Sequence, residues 1–468
     1  MDNRSQDGTE KKRAALHNLG CKVNAYEMDV MEELLRESGY EIVPFEEDAE
    51  VYIINTCTVT NIADRKSRQM LHRAKKAHPN SIVVAVGCYV QTDLEGVLKD
   101  AGVDLCIGNN KKGEIVSILR DYLNLNDPVE KGTDAKTLDH TSVINVNEKC
   151  EYEDLLLKNT TDRTRAYIKI QDGCNQFCTY CIIPFSRGRV RSRKKEKIIE
   201  EIKGLCTRGF KEFVITGIHV SSYGSDIEHP DKRMMANQFS EKYLQDLLRE
   251  VEDIPEVQRI RLSSLEPRIM TEEFVRFLSG MKKLCPHFHL SLQSGCDATL
   301  RRMNRQYTTE EFLQTVERLR RYFDQPAITT DVIVGFPGET EEEFAQTRAF
   351  LEKVNFYEMH IFKYSKRRGT YAAGMSGQLT EAQKAKRSDE LEQIEKRSSE
   401  AFRASYTGKC CEVLFEETRT IGLQTYRTGH TREYIKVAVI SEDDLSGKIC
   451  PVRLTGLVEG EWMGGVLC

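Results

Sequence analysis

No run of eighteen apolar residues occurs in the chain, so nothing in it is built to cross a bilayer as a helix. The segment Met1–Arg13 is polar and charged and has no apolar core of the kind a secretory signal needs, which leads to the expectation of a cytoplasmic protein with no membrane partner. A surplus of basic charge is also missing. The net charge of -5 argues against a protein that coats nucleic acid with its whole surface, and leaves that task to local patches. What the chain has is length: 468 residues, 40% of them hydrophobic, are too many for one core and enough for two to four.

It also has cysteine. Fifteen in a cytosolic chain point to metal ligands or redox groups more than to a disulfide framework. Three of them, Cys174, Cys178 and Cys181, share one short loop with spacings of four and three residues. Three thiolates are one short of a closed tetrahedral zinc site and one short of the four outer ligands of a cubane iron-sulfur cluster. The missing ligand comes from elsewhere in the chain, or the position stays open for a small molecule. A structural zinc knuckle is the alternative reading of the loop.

Upstream, short apolar runs alternate with helical stretches over residues 14–123, the pattern of a parallel sheet with crossover helices. Cys21, Cys57 and Cys88 each follow a predicted strand closely, and the carboxyl ends of parallel strands lie along one edge where ligands gather. Three cysteines far apart in sequence can therefore meet, although each alone could be an ordinary buried thiol. Cys106 falls inside a predicted strand and reads as packing; Cys150, in the polar stretch 124–163, is assigned no role.

From Arg165 the strand-helix alternation resumes six times, with strands predicted at 165–171, 212–216, 259–264, 287–293, 327–334 and 357–364. Six units fall short of the eight that close a full barrel and predict a laterally open one, suited to a large substrate. The cysteine loop follows the first strand. Thr216, Gly217 and His219, then Glu266, then Gln293, then Gly335 stand after later ones, where small residues let backbone approach a ligand. As a set they suggest a cofactor pocket; His219 alone could equally cap a loop. A charged helix follows from Glu381, and after about Ala401 short strands with turn points at Gly429, Gly447 and Gly456 predict a small antiparallel barrel, a class that often binds nucleic acid. Residues 403–468 hold eight basic and nine acidic side chains, so RNA contact there must be local. Adjacent Cys410 and Cys411 would point to opposite faces of a strand and share no metal. The basic run Arg187, Arg189, Arg191, Arg193, Lys194, Lys195 and Lys197 is either a solvated face or a surface for a phosphate-bearing substrate.

The loop resembles that of the radical S-adenosylmethionine (SAM) superfamily. In that superfamily three thiolates hold a 4Fe-4S cluster, and the amino and carboxylate groups of SAM take the open iron. The resemblance implies reductive cleavage to a 5'-deoxyadenosyl radical able to attack an unactivated C–H bond. It implies SAM contacts at Tyr180 and at the strand-end positions Thr216, Gly217, Glu266, Gln293 and Gly335.

Wider motifs, among them Gly20-Cys21-Lys22-Val23-Asn24, Asn55-Thr56-Cys57-Thr58, Gly87-Cys88, Thr330-Asp331-Val332 through Thr340, and Tyr364-Ser365, resemble the methylthiotransferases, with the first closest to the MtaB group. The end of the chain is similar to a TRAM domain. Implied are a second 4Fe-4S cluster on Cys21, Cys57 and Cys88, and an α/β architecture in four parts. These are a doubly wound parallel-sheet domain over 11–123, a linker over 124–159, an open (βα)6 partial TIM barrel over 160–392, and a TRAM barrel over 400–468.

The implied activity is methylthiolation at C2 of N6-threonylcarbamoyladenosine-37 of tRNA, with SAM used once to methylate sulfur and once for the radical. Implied partners are the tRNA anticodon stem-loop and an electron donor such as flavodoxin or ferredoxin. The same chemistry on N6-isopentenyladenosine-37 or on a ribosomal-protein aspartate is an alternative, as is an RNA-binding protein with structural metals. No catalytic side chain beyond the cluster cysteines is singled out.

Overall fold

The computed structural model describes residues 11–468 apart from 101, 126–139, 149, 160–163, 229–238 and 240. The chain divides into two units: residues 1–159, 172–174 and 182–191 form the first, and residues 160–171, 175–181 and 192–468 the second.

The first unit is a six-stranded, all-parallel sheet. Val51–Thr56 lies at its centre, flanked by Arg13–Asn18 and Ile82–Gly87. Every residue of Val51–Thr56 is buried, as a strand covered on both faces requires. One face packs Leu71 and Ala74 of the helix Asn61–Ala77 against Tyr52, Ile54, Val83 and Ala85. The other packs Met28, Met31 and Leu35 of the helix Lys22–Glu37, with Ile115 and Leu119 of Ile115–Leu125, against Val51, Ile53, Val84 and Val86. The sheet is thus doubly wound. Cys106 is in the first of these cores, as its strand position suggested. Residues beyond 139 add to this unit: Thr141–Ser142 extends the sheet beside Leu105–Ile107, and the Tyr26 hydroxyl donates to the Leu155 carbonyl at 2.7 Å.

In the second unit six longer parallel strands follow the predicted places: Arg165–Asp172, Glu212–Gly217, Arg259–Leu262, His287–Gln293, Ala327–Val334 and Glu358–Lys363. They form two sheets. Among the described residues they are linked by the isolated bridges Ile260–Leu284 and Leu265–Leu290, not by a continuous ladder, so the wall curves without closing. Helices cover the outer face. Thr308 and Thr340 start two of them with reciprocal capping boxes to Glu311 and Glu343, which fixes where the loops from the strand ends stop. The helix Glu381–Ala404 opens the same way at Thr380.

The last segment closes into a five-stranded barrel of Cys410–Ile421, Gln424–Thr431, Lys436–Val439, Trp462–Leu467 and Ile449–Glu459 in spatial order. Its pairs are antiparallel except Lys436–Val439 with Trp462–Leu467, which are parallel. Gly429 and Gly456 are not turns, contrary to the sequence-based expectation. A Cβ at Gly429 would lie 2.1 Å from the Leu414 carbonyl oxygen, so glycine there admits a crossing strand at a bulge, and Gly456 sits at another bulge. Gly447, at φ 72°, is a turn as expected.

The barrel is keyed to the core strands by arginines. Arg259 donates to the carbonyls of His430 (3.2 Å) and Glu412 (2.8 Å), and Arg261 to those of Arg432 (3.0 Å) and Thr431 (3.3 Å). Arg432 returns the arrangement by donating to the carbonyls of Lys282 and Leu284, each at 2.7 Å. Glu212, buried between Arg261 (2.9 Å) and Arg259 (3.6 Å), balances their charge.

Candidate functional site

In the first unit, the three strand-end cysteines converge. The Cys21 residue caps the helix Lys22–Glu37, Cys57 follows Val51–Thr56, and Cys88 opens the short helix after Ile82–Gly87. Gly20 holds φ at 107°, and a Cβ there would come within 2.9 Å of the Cys57 Cβ and 3.0 Å of its Sγ. Only glycine lets the first cysteine segment approach so closely. Asn24 ties the strand ends together: its Nδ2 donates to the carbonyls of Leu19 (2.8 Å) and Thr56 (3.0 Å), and its own carbonyl accepts from Asn55 (2.9 Å).

The three thiols lie within electrostatic reach of one another. Burial pushes the Cys57 thiol up to about 12, with the Cys88 and Cys21 thiols adding to the shift. Enclosure likewise raises Cys21, opposed by the positive charge of Arg187 and reinforced by Cys88.

Beneath these thiols lies an ion network that the sequence reading missed. Arg187 is fully buried, donating to both carboxylate oxygens of Glu27 (2.8 and 3.0 Å), to Asp172 (3.1 Å) and to the Asn24 Oδ1 (2.7 Å). Lys112, also fully buried, pairs with Glu27 and donates to the Asn109 Oδ1 at 2.9 Å. Asn109 in turn donates to the Cys88 Sγ at 3.5 Å and to the Ser186 carbonyl at 2.7 Å. Burial works against the charge on Arg187, yet the Cys88 thiol, Glu27 and Asp172 hold its pKa well above the ordinary value. Asn24 and Glu27, three apart on one helical turn right after Cys21, were the available signal for this network.

Three residues of the basic run are thereby accounted for, and neither sequence-based reading holds for them. Arg187 is the network's centre. Arg191 is buried, donating to the carbonyls of Arg187 (3.0 Å) and Arg189 (3.1 Å), and Arg193 is buried against Glu201 at 2.8 Å. They are not available to phosphate. Arg189, Lys194 and Lys197 are the exposed members.

In the second unit the loop residues Gln176–Cys181 are held by the turn after the helix Asp297–Arg302. Thr179 donates from its amide to the Met303 carbonyl (3.1 Å) and from its hydroxyl to the Arg302 carbonyl (2.8 Å). Asn304 donates to the Phe177 carbonyl at 3.1 Å, steadying Phe177 at its left-handed φ of 47°. Arg305 reaches the Cys178 Sγ at 3.2 Å and the Ser291 carbonyl at 3.4 Å.

Chains of contact join this loop to the strand-end residues. The Tyr180 ring stands edge-on to Phe336 at 6.4 Å, next to Gly335. Gly335, at φ 71°, donates its amide to Glu339 at 2.7 Å. Arg268 spans Gln176 (3.4 Å) and Glu266 (2.8 Å), and the Glu266 amide donates to Ser221. Gln171 accepts from the amide of His219 at 2.8 Å and lies 3.0 Å from where a Gly217 Cβ would be; Thr216 is buried beside it on the strand end. Gln293 adopts φ 71°, rare for a residue with a side chain. His219 pairs its Nδ1 with the Ser222 hydroxyl at 2.6 Å and is driven down to about 3 by burial, a neutral ring in a loop cap. At the far end of the unit, Cys410 is exposed while Cys411 packs on the barrel core, as their alternation predicts.

Residues 168–351 match the Radical SAM superfamily, and residues 13–108 match the family described as Uncharacterized protein family UPF0004. The threonylcarbamoyladenosine tRNA methylthiotransferase MtaB of Bacillus subtilis (strain 168) is 39% identical over 441 residues, 94% of this chain and 93% of that protein. Its counterpart in Aquifex aeolicus (strain VF5) is 37% identical over 88% of this chain and 95% of that one.

The chain belongs to the radical SAM methylthiotransferase family. A tRNA-2-methylthio-N(6)-dimethylallyladenosine synthase of Acetivibrio thermocellus is similar to this methylthiotransferase at 33% identity over 95% of the chain and 89% of its own length. Among solved structures, the radical S-adenosylmethionine methyltransferase TsrM of Kitasatospora setae, with cobalamin and a 4Fe-4S cluster bound, superposes with a TM-score of 0.54 at 15% identity. That match covers 76% of this chain and 75% of that one, and speaks for the fold alone.

As a radical SAM enzyme the methylthiotransferase uses a 4Fe-4S cluster and SAM. The donor chemistry fits such a cluster: Cys21, Cys57 and Cys88 lie beside the buried Arg187, and the Cys178 thiol accepts from the half-buried Arg305, cations that offset anionic charge. Among the described residues, no helix is long and apolar enough to cross a membrane.

Proposed function

We propose that this methylthiotransferase modifies C2 of N6-threonylcarbamoyladenosine at position 37 of tRNA. The observation that carries the reading is the meeting of Cys21, Cys57 and Cys88 above the buried Arg187–Glu27–Lys112 network, which gives the chain a second three-thiol site besides the loop. Cys21, Cys57 and Cys88 hold one 4Fe-4S cluster and Cys174, Cys178 and Cys181 the other. With SAM bound, the pair supplies a methylthio donor and a radical able to open a C–H bond.

This chain's own residues orient and shield those groups. Asn24 and Gly20 set the spacing of the first trio, Asn109 steadies Cys88, and Arg305 accompanies Cys178. Tyr180, Thr216, Gly217, Glu266, Gln293 and Gly335 line the pocket for SAM at the carboxyl ends of the core strands, where barrel enzymes place their chemistry. The TRAM-like terminal barrel and the exposed Arg189, Lys194 and Lys197 grip the anticodon stem-loop, and a flavodoxin or ferredoxin supplies the electron. The choice of threonylcarbamoyl over isopentenyl adenosine is supported by the MtaB relatives of Bacillus subtilis and Aquifex aeolicus.

Iron and sulfide analysis of anaerobically prepared protein tests the cluster assignment. About eight irons per chain are expected, falling by half when Cys174, Cys178 and Cys181 become alanine; about four, or none, in the unaltered protein overturns it. Mass spectrometry of tRNA nucleosides from cells lacking the protein tests the substrate. Loss of the methylthio derivative of threonylcarbamoyladenosine is expected, and its persistence rejects the assignment.

A further inference from the structure

The core strands His287–Gln293, Ala327–Val334 and Glu358–Lys363 bury one face under helices and leave the other open. Phe288, Leu290, Leu292, Ile328, Thr330, Val332 and Val334 form the buried face. On the open face, register pairs His289 with Thr329, Asp331 with His360, and Ile333 with Phe362. The open face is the lumen of the partial barrel.

In it His289, Asp331 and His360 bring one side-chain nitrogen or oxygen each to within 4.8 Å of one another. The His289 Nδ1 meets the Thr329 hydroxyl at 2.9 Å, which turns its Nε2 toward the Asp331 carboxylate at 3.2 Å. The His360 ring stacks on that of His289 at 5.7 Å and is open to solvent. Nearer the strand ends, Phe362 is 45% exposed beside Ile333. The lumen wall therefore has an apolar tier at its mouth and a polar tier below. His289 lies two residues, about 6.6 Å of strand, from Ser291, whose carbonyl shares Arg305 with Cys178.

We propose that His289, Asp331 and His360 are the specificity-determining residues that receive the polar N6 substituent of the target adenosine while Phe362 lies against the base. The proposal rests on the substrate reading of the preceding subsection. The threonylcarbamoyl group carries ureido N–H donors, a hydroxyl and a carboxylate. Asp331 accepts from the ureido and hydroxyl donors, and the two imidazoles serve the carboxylate and hydroxyl oxygens. An isopentenyl group offers no hydrogen bond. Seated in the same place it would strip water from two imidazoles and a carboxylate and return nothing, which is how a hydrogen-bonding site rejects an apolar analogue. Splayed bases stacked on aromatic side chains are the common mode of single-stranded RNA recognition.

The test uses reconstituted holoenzyme and two anticodon stem-loops identical except for the adenosine-37 substituent, threonylcarbamoyl or isopentenyl. Unaltered enzyme should favour the first. His360→Leu should lower kcat/KM on it by about tenfold or more, mainly through KM, and narrow the preference between the two RNAs. His360→Asn, which keeps a donor and an acceptor, should recover part of the loss. Iron content equal to that of the unaltered enzyme certifies that each variant is folded.

An unchanged preference in both His360→Leu and Asp331→Asn overturns the proposal while leaving the proposed function intact. So does one equivalent of zinc retained through dialysis against chelator and lost in His360→Leu, which would make the trio a cation site. Unaltered enzyme that acts on the isopentenyl RNA and not on the threonylcarbamoyl RNA overturns the substrate reading itself, and this proposal with it.

Discussion

The two cysteine trios are built in opposite ways. Cys174, Cys178 and Cys181 sit within eight consecutive residues, so their spacing is a property of one loop; Cys21, Cys57 and Cys88 are brought together by three strands in register. Phe177–Cys181 are held by Arg302–Arg305, and Cys174 donates its amide to the Gly188 carbonyl at 3.0 Å. The strand-end trio depends on the whole sheet and on the charges buried beneath it. A locally encoded site should tolerate change nearby and fail only at its ligands, whereas a topologically encoded one should be open to damage from residues that touch no ligand.

The sharpest separation is expected from the ligands themselves. Cys57→Ala should abolish methylthiolation but leave formation of 5'-deoxyadenosine, while Cys178→Ala should lose both; product analysis of single-turnover mixtures reads the two. Methylthiolated RNA made at the normal rate by the first variant would remove Cys57 from the second site.

Next is Arg187→Met, which removes a buried cation from both Glu27 and Asp172. Removing one partner of a buried pair costs about 3–5 kcal/mol, to be seen as a lower urea midpoint. A midpoint equal to the parent's would mean that the network is not structural.

Gly20→Ala should act more narrowly. With φ at 107° and the Cys57 Sγ 3.0 Å from the new Cβ, the strand-end trio must spread. Iron should fall toward half with little loss of overall stability; retention of all iron would show that the approach is not needed.

Arg193→Gln should lower stability through loss of the Glu201 pair but leave the salt dependence of tRNA binding unaltered. A phosphate contact would instead flatten the slope of log K against log salt by close to one unit. Such flattening would restore the surface reading of the basic run.

The smallest effect is in acid. Burial opposes ionisation of Glu212, but Arg261, Arg165 and Arg259 hold its carboxyl below the ordinary range. A lowered folded-state pKa stabilises above the unfolded value of about 4.3, and that stability is lost as pH falls through the folded pKa. Thermal unfolding should therefore show a decline below about pH 4.5 that is shallower in Glu212→Gln. Equal slopes would mean that Glu212 is not what couples the barrel's seat to pH.

Most of the scaffold was legible because it obeys local periods. The helices Thr309–Tyr322 and Glu341–Val354 fall where polar caps and apolar spacing place them. The barrel strands Gln424–Thr431 and Trp462–Leu467 were missed because neither keeps an alternation of apolar and polar residues: the first begins with exposed polar residues, and the second has Gly464 and Gly465 mid-strand and exposes Val466 and Leu467. Of the candidate site, the convergence of Cys21, Cys57 and Cys88 was readable since each follows a strand end. The ion network was not. Glu27, Lys112 and Arg187 lie in three separate segments, and the spacing of Asn24 and Glu27 after Cys21, the one signal present, does not say which distant cations will be buried with them. The same ambiguity misplaced Arg191 and Arg193.

The seat of the terminal barrel has a consequence of another kind. Across that seat Arg259, Arg261 and Arg432 donate to main-chain carbonyls, while Arg165 pairs with the Glu416 side chain at 3.2 Å. Those backbone bonds do not depend on which side chains the carbonyls belong to, so the barrel surface away from Glu416 and Tyr434 can change by mutation while they persist. The core can thus keep its chemistry while that surface varies.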